Sequence, residues 1–450
     1  MKEIIVFFII ICLQLAAFSQ SAKRPLKPGD YYRLQSVGDP QISPDGQWVA
    51  YTVSTIDSAK DRRNADVWMM SWDGEQSVQL TNSPENETNP RWSPDGKYIS
   101  FTASRSGGSS QIWLLDRRGG EAIKLTDIKG ELGEYAWSPD SKRMVMVVKD
   151  PLDTAKNKPP KPYVITKYKF KQDVSGYQHD DRRSHLYLFD VKEKKLDTLT
   201  KGDFNESNPQ WSPDGSRIAF VSNHTEDPDK NSNTDIWIID AQKNAKEKQF
   251  TKWAGYDNSP RWSPDGKSIA YLRSTASDHF LMYDQPVLCV ASVEGGEPRL
   301  LSRPLDRPVA NPRWSKDGQT LAILVSDDCQ RYVASYSLAD GQITKLIGGD
   351  KSFNSLELHP SGTWITSMTD PTLPSELYAL ENGNLRRLTK VHNAFVDSLS
   401  LASVEKFSSK SKDGTMISGL LFRPPGAPKE KLPLILYIHG GPVAQDEFSF

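Results

Sequence analysis

A recurring five-residue pattern, Trp-Ser-Pro-Asp-Gly, constrains the fold of this chain more than any other feature, because an alternating apolar run follows it. Its clearest copy spans residues 211–215, with the apolar run at residues 218–221. In Ser-Pro-Asp-Gly, Pro presets φ for a type I turn, Asp hydrogen-bonds the backbone and Gly takes the positive-φ position. Each copy therefore predicts a β-hairpin. The seven copies, the last in altered form, lie at residues 42–46, 92–96, 137–141, 211–215, 262–266, 314–318 and 358–362.

Each repeat contains four segments that read as short strands. In the second repeat, the strand after the turn covers residues 98–102, and two more follow at residues 112–116 and 122–126. Repeats of four strands, each about 45 to 50 residues long, are the sequence signature of a β-propeller. The sequence therefore predicts a mainly β fold, with a seven-bladed β-propeller over residues 39–390. We expect the recurring Trp to pack between blades and the ring to close without exchange of a terminal strand.

One repeat is longer than the others. Ser93 and Ser138 are 45 positions apart, whereas Ser138 and Ser212 are 74 apart, which places an insertion at residues 149–184 in blade three. Residues 163–170 alternate in polarity and predict a strand of a projecting hairpin. Two interpretations stay open, a cover for a partner domain or active site and a solvated loop.

Within the insertion, His179 stands beside Asp180 and Asp181. No second His or Cys follows at ligand spacing, so we interpret the cluster as solvated surface. The sequence predicts no metal site and no cofactor.

The N-terminus has the pattern of a secretory signal. An apolar run at residues 4–17 ends in small residues, which predicts a signal peptide at residues 1–19 and a polar arm at residues 20–38. The run is shorter than the roughly 20 residues of a spanning helix, although a membrane anchor is the alternative. We expect an exported protein, periplasmic or secreted, with no membrane contact after cleavage.

Charge and cysteine content exclude several classes of protein. Lys and Arg number 56 against 57 for Asp and Glu, a net charge of -1, so nothing favours nucleic acid as a partner. Cys12 lies in the leader, which leaves Cys289 and Cys329. A disulfide framework is excluded, and one bond between these two remains possible.

The pattern changes after Thr389. Residues 407–425 predict a hairpin around Asp413-Gly414, and residues 432–438 form a continuous apolar run that ends at His439-Gly440-Gly441-Pro442. A strand that is apolar on both faces is typical of the centre of an α/β sheet. Residues 391–450 are therefore predicted to be a hinge and the first strands of an α/β-hydrolase domain.

Taken together, these features resemble the front of a prolyl oligopeptidase family serine peptidase, in particular its acylaminoacyl-peptidase and dipeptidyl-peptidase 5 branch. The blade turns, Ser411-Lys412-Asp413-Gly414 at the junction and residues 436–442 carry the resemblance. It implies a peptide substrate and a loop that gives one backbone N–H to an oxyanion hole. By this resemblance Gly441 is the donor, Gly440 lets the backbone approach the substrate, and His439 holds the loop.

The remaining catalytic groups are not found in this sequence. The 450 residues contain no Gly-x-Ser-x-Gly elbow with the Asp and His that follow it in such hydrolases. We expect the chain to be a truncated part of an exported serine exopeptidase, inactive alone. The alternative is a non-enzymatic periplasmic binding propeller, similar to the translocation β-propeller proteins. A carbohydrate-active propeller would need paired carboxylates on inner strands, and none stands out. Substrate-binding residues, the choice between free and acylated N-termini and the oligomeric state stay open.

Overall fold

The computed structural model describes residues 23–152, 164–174, 176–178, 181–275, 284–428, 430–441 and 443–450. Residues 1–19, predicted to be a signal peptide, lie outside these ranges, as do His179 and Asp180. The described chain is mainly β, with one α-helical turn, α1 (Asn393–Val396). Short 3-10 turns lie at Pro28–Arg33, Arg105–Gly107, Pro228–Lys230 and Arg303–Leu305. None of the helices in the described ranges has the length and apolar character needed to cross a membrane.

Most strands belong to four-stranded antiparallel sheets built from strands that follow one another in sequence. Five such sheets form. Their strands are β1 (Ser36–Ile42), β2 (Trp48–Asp57), β3 (Arg62–Ser71) and β4 (Ser77–Gln79); β5 (Glu87–Trp92), β6 (Tyr98–Ala103), β7 (Gln111–Asp116) and β8 (Ile123–Lys124); β9 (Glu131–Trp137), β10 (Arg143–Lys149), β13 (Ser184–Asp190) and β14 (Lys195–Thr198); β15 (Glu206–Trp211), β16 (Arg217–Ser222), β17 (Asp235–Asp240) and β18 (Lys248–Gln249); β19 (Asp257–Trp262), β20 (Ser268–Arg273), β21 (Val287–Ser292) and β22 (Arg299–Leu300).

The remaining repeats form one nine-stranded sheet. Its strands are β23 (Val309–Trp314), β24 (Thr320–Asp327), β25 (Gln330–Ser337), β26 (Ile343–Ile347), β27 (Ser352–Phe353), β28 (Glu357–Leu358), β29 (Trp364–Asp370), β30 (Leu373–Glu381) and β31 (Asn384–Arg387). The two halves meet at a single parallel pair, Arg331 with Ser352. The propeller-like architecture is thus confirmed, while the number of seven blades stays a prediction because the last two repeats share a sheet.

The Ser-Pro-Asp-Gly segments form the predicted turns. In the copy at residues 211–215, the Ser212 hydroxyl donates to Asp214 Oδ1 (2.6 Å) and accepts from the Arg217 N–H (2.9 Å). Gly215 has φ of 70°, in the region that favours glycine. The strands on either side, β15 and β16, pair antiparallel. The hairpin prediction is confirmed.

Near the end of most repeats, a Thr hydroxyl accepts a hydrogen bond from a backbone N–H of the third strand. The Thr200 hydroxyl accepts from the Leu186 N–H at 2.8 Å, and Thr251 accepts from Ile236 at 2.9 Å. The same bond recurs at Thr81, Thr126 and Thr389, and Ser302 replaces Thr in the fifth repeat. A buried N–H that lacks a strand partner is thereby satisfied in each sheet.

The recurring tryptophans connect neighbouring sheets, as predicted. Trp92 Nε1 donates to the Gln41 carbonyl at 2.9 Å, and Trp262 Nε1 donates to that of Gln210 at 3.1 Å. Trp314 Nε1 repeats the bond to Arg261 O at 2.9 Å. Each indole thus packs as core while its N–H reaches the preceding repeat.

The ring closes through side chains instead of a shared strand. Tyr51 of the first sheet and Leu377 of the last pack in one buried cluster. His359 Nε2 lies 2.8 Å from the Gly46 carbonyl, and the His359 ring stacks on Trp72 at 3.9 Å. In the described chain, β1–β4 all come from the first repeat and β28–β31 all come from the last. Neither terminal repeat borrows a strand from the other, so the prediction of closure without strand exchange is confirmed.

Several local predictions differ from the structure. The first strand begins at Ser36, three residues before the predicted boundary at residue 39. Residues 164–170 form no strand. A short hairpin follows them instead, made of two strands of two residues each, β11 (Lys171–Gln172) and β12 (Gly176–Tyr177). The backbone N–H of Lys169 donates to Asp229 in the next repeat (3.0 Å), so this segment is held against a loop and is not paired in a sheet.

The possible disulfide between Cys289 and Cys329 is not formed. Both residues are buried free thiols.

The segment after the propeller divides into a formed and an unformed part. The predicted hairpin is confirmed, since β32 (Ser403–Lys410) and β33 (Met416–Arg423) pair antiparallel around Asp413-Gly414. The strand predicted over residues 432–438 is wrong for this structure, because those residues carry no strand pairing and are exposed. A central strand requires hydrogen-bonding neighbours on both sides, and no described segment supplies them.

Candidate functional site

The two faces of the propeller carry different parts of the chain. The Ser-Pro-Asp-Gly turns join first and second strands on one face, here called the turn face. Because the strands are antiparallel, the loops between second and third strands lie on the opposite face, here called the junction face. The insertion at residues 149–184 is such a loop, since it connects β10 to β13.

The C-terminal segment contacts the junction face. Lys406 of β32 forms an ion pair with Asp328, in the turn between β24 and β25. The Phe448 N–H donates to the Cys329 carbonyl at 2.8 Å, and Arg331 pairs with Glu447 at 3.1 Å. The N-terminal arm is on this face too, because Arg24 forms a parallel bridge with Leu399. The candidate oxyanion loop therefore belongs to a segment anchored on the same face as the insertion.

The loop of His439, Gly440 and Gly441 has no regular structure; His439 is half-buried and the two glycines are exposed. His439 Nδ1 lies 2.9 Å from the Gly440 carbonyl, a contact within the loop. Open space surrounds Gly440, whereas Gly441 has φ of 140° and a side chain there would meet the Val443 backbone. Gly441 thus occupies a conformation that other residues rarely adopt. Pro442 lies outside the described residues.

A second candidate site is the central channel, a cavity of about 750 Å³ inside the ring. In every repeat, the residue immediately before the position of the recurring Trp lines this channel. These residues are Gln41, Arg91, Ala136, Gln210, Arg261, Arg313 and Glu357. Since each of these residues lies just before a Ser-Pro-Asp-Gly turn, this set of lining residues lies towards the turn face.

A β-bulge in the first strand of the repeats orients these side chains into the channel. The pairing register shifts between Thr88 and Arg91 and again between Asn258 and Arg261. The bulged residues, such as Asn89 with φ of 54°, are followed by Pro, which has no N–H to give to a ladder. The sequence interpretation missed this site, although the repeated x-Pro-Arg-Trp within a strand was a signal for a bulge.

Two of the three channel arginines have carboxylate partners. Arg91 pairs with Asp39 at 2.8 Å, and Arg313 pairs with Glu357 at 2.6 Å. Burial acts to raise the pKa of Glu357, but the nearby arginines, Arg313 first, outweigh it and lower that pKa. The channel therefore contains charges held in fixed pairs.

Buried ionisable groups also lie at the junction ends of the blade interfaces. His185 pairs with Glu206 of the next repeat at 2.9 Å, and this hydrogen bond raises the pKa of His185. Asp66 is also buried beside Glu87; burial raises the pKa of Asp66 to about 6, with Glu87 adding to the effect. In the described ranges, no three His, Cys, Asp or Glu side chains cluster so as to hold a metal ion.

Comparison with known proteins covers both the propeller and the segment after it. The family model described as "TolB beta propeller domain" matches residues 34–157 and 177–393. The uncharacterised peptidase YuxL of Bacillus subtilis is 30% identical over 450 residues, 93% of this chain and 67% of that protein. Dipeptidyl-peptidase 5 of Porphyromonas gingivalis is 28% identical over 448 residues, 93% of this chain and 63% of that protein. The chain thus spans about two thirds of the length of these relatives.

Solved structures show the same architecture. The structure of Pyrococcus horikoshii acylaminoacyl peptidase matches with a TM-score of 0.74 over 93% of this chain and 62% of that one. Its identity of 19% supports the shared fold alone.

The family model matches most of the chain, and one relative is 30% identical to it. From these two findings we conclude that the chain belongs to the prolyl oligopeptidase family of peptidases and contains its propeller domain.

Proposed function

We propose that this chain supplies the propeller and the oxyanion loop of an exported serine exopeptidase, of the dipeptidyl-peptidase or acylaminoacyl-peptidase type, that hydrolyses short peptides. The observation that carries the proposal is the extent of the similarity. A match to two peptidases over 93% of the chain is longer than the propeller at residues 39–390, so it extends into the hydrolase-like segment.

The chemical role of the loop is to stabilise developing negative charge. In acyl transfer, the carbonyl oxygen of the scissile bond becomes an oxyanion, and a preorganised backbone N–H lowers the energy of that state. Gly441 is proposed as one donor, and the open space around Gly440 lets the substrate backbone come close. His439 is proposed to hold the loop, which its contact with the Gly440 carbonyl supports.

The first test concerns the chain by itself. Because no Gly-x-Ser-x-Gly elbow occurs in its 450 residues, we expect no hydrolysis of aminoacyl or dipeptidyl chromogenic substrates and no labelling by fluorophosphonates. Mass spectrometry after incubation with a fluorophosphonate measures this directly. Stoichiometric labelling of any Ser would contradict the proposal that the nucleophile lies elsewhere.

The second test restores the chemistry in a hybrid. The residues that follow the equivalent position in the Bacillus subtilis peptidase are joined after Phe450, and kinetics are measured with dipeptidyl substrates. Gly441→Pro, which removes the N–H, should lower kcat about 100-fold or more and change KM less. Gly426→Pro is the matched control, because Gly426 is also exposed with positive φ but lies outside the loop. A folded hybrid without peptidase activity would contradict the function, and equal kcat in both variants would contradict the role of Gly441.

The insertion at residues 149–184 is proposed to lie near the substrate. Its position on the junction face, where the C-terminal segment is anchored, supports this. In the hybrid, deletion of residues 157–178 should raise KM for short peptides or admit longer ones. Unchanged kinetics on short peptides and on a denatured protein would mean that the insertion is only a surface loop.

Export is proposed on the sequence of residues 1–19. Expression of the chain with its leader and N-terminal sequencing of the exported protein would locate the cleavage site, expected before Gln20. A chain that retains Met1 in the membrane fraction would support an anchor instead.

The alternative function, a binding propeller without chemistry, is favoured by the description of the matching family model. It gives no reason for a loop such as residues 439–441 after the propeller. Loss of catalysis by Gly441→Pro in the hybrid would exclude it.

A further inference from the structure

The three copies of Pro-Arg-Trp in the channel provide an internal comparison. Arg91, Arg261 and Arg313 each donate to the carbonyl of their own preceding Pro, at 2.7, 3.3 and 3.0 Å. Arg91 and Arg313 also pair with carboxylates. Among the described residues, no carboxylate forms an ion pair with Arg261. Arg261 is therefore the one arginine of these three without an ion pair among the described residues, although Glu357 and Glu134 both act to raise its pKa.

This arrangement has an electrostatic cost. Burial lowers the pKa of Arg261 to about 9, and the nearby Arg313 guanidinium adds to the effect. Arg261 nevertheless stays protonated at neutral pH, so a half-buried positive charge without an ion pair lines the cavity. A charge without a partner is unfavourable there, and such sites are often completed by a ligand.

An exposed carboxylate without an ion pair lines the same channel. Glu134 Oε1 accepts only the Asn208 N–H at 3.2 Å, and in the described chain Glu134 has no ion pair. Glu134 is near enough to act on the pKa of Arg261, yet the two groups are not in contact as an ion pair. In the described chain, Arg261 and Glu134 therefore both line the channel without forming an ion pair with each other or with another residue.

The overall charge of the lining indicates the kind of ligand. Its three arginines are balanced by Asp39, Glu134 and Glu357, so a polyanion would meet as much repulsion as attraction. A small zwitterion matches both unpaired groups at once. The remaining polar lining, which includes the Gln210 amide, offers hydrogen bonds to peptide groups.

We propose that the channel binds a short free peptide, of about dipeptide size, with its carboxylate on Arg261 and its ammonium group on Glu134. The site lies at the turn-face end of the channel, whereas residues 439–441 belong to the segment on the junction face. The inference therefore goes beyond the proposed function, and binding can be measured on a chain that performs no chemistry.

The test is calorimetric titration of the 450-residue chain with Ala-Ala at pH 7. Ala-Ala should bind, whereas Ala-Ala amide and acetyl-Ala-Ala, each lacking one charge, should bind about tenfold more weakly or worse. Inorganic phosphate serves as the source of a simple anion and should not displace Ala-Ala at equal concentration. Displacement by phosphate, equal binding of all three peptides or no binding of Ala-Ala would overturn the proposal.

Variants assign the two contacts. Arg261→Gln should weaken Ala-Ala about tenfold and, because it removes an unmatched charge, should raise the Tm of the free chain. Glu134→Gln should weaken Ala-Ala but leave acetyl-Ala-Ala unchanged. Arg118→Gln is the matched control, since Arg118 is an exposed arginine paired with Asp116 outside the channel. Equal affinity in Arg261→Gln and Arg118→Gln, with both folded, would contradict the assignment.

Discussion

Two apolar runs of similar composition behave differently in this molecule. Residues 144–148, in β10, are buried, and β10 pairs with β9 on one side and β13 on the other. Residues 434–438 are at least as apolar, yet they form no strand and Ile435 is 91% exposed. The difference teaches that an apolar run becomes a strand only where neighbours take its backbone hydrogen bonds and cover its faces.

The largest expected effect of this difference is on proteolysis. Proteinase K at low concentration should cut between residues 424 and 444 at least about a hundredfold faster than within the propeller, because exposed unpaired backbone opens at almost no cost. Mass spectrometry should first find a fragment that ends between residues 424 and 444. The paired but exposed β32–β33 hairpin should be removed more slowly, which leaves a stable core whose C-terminus lies between residues 389 and 403. A C-terminal segment as resistant as the propeller would contradict the comparison.

A matched pair of isoleucines sharpens the comparison. Ile269 of β20 is 0% exposed, whereas Ile435 is 91% exposed. Ile269→Ala should lower the free energy of unfolding by about 2–5 kcal/mol through lost burial and a cavity, and Ile435→Ala by less than about 0.5 kcal/mol. Urea unfolding followed by tryptophan fluorescence measures both. Similar losses in the two variants would mean that residues 432–438 are buried in solution.

The smallest expected effect comes from a buried carboxyl inside the propeller. Because the pKa of Asp66 is raised to about 6, the folded state holds its proton more tightly than the unfolded chain does. Its contribution to stability is therefore present below about pH 4 and lost as the pH rises through 6. Asp66→Asn should leave stability at pH 4 nearly unchanged and raise it at pH 7.5 by about 1–3 kcal/mol.

Thermal unfolding between pH 4 and 8 tests this, with Asp214→Asn as the control. Hydrogen bonds from Ser212 and Ser216 lower the pKa of Asp214 to about 2, so its contribution is complete above pH 4 and lost only towards pH 2. The stability difference between Asp214→Asn and the parent should therefore be flat from pH 4 to 8. The same flat profile for Asp66→Asn would contradict the raised pKa of Asp66.

The sequence was most informative where the physics is local. Ser-Pro-Asp-Gly determines its own turn within a few residues, so the hairpins, the repeats and the packing role of Trp262 could be predicted. The loop at residues 439–441 was recognised by resemblance to a family, and the comparisons confirm that family. Its catalytic role stays a prediction.

The tertiary structure alone decided the features that depend on residues far apart. The bulges that turn Arg91, Arg261 and Arg313 into the channel come from strand pairing. Which of these arginines finds a carboxylate depends on neighbours from other repeats, about 50 residues away along the chain. The same reasoning applies to residues 432–438, whose composition predicts a buried strand. Composition determines only how much apolar surface a segment can bury. Whether its backbone N–H and C=O groups are paired depends on the neighbouring strands available in the fold.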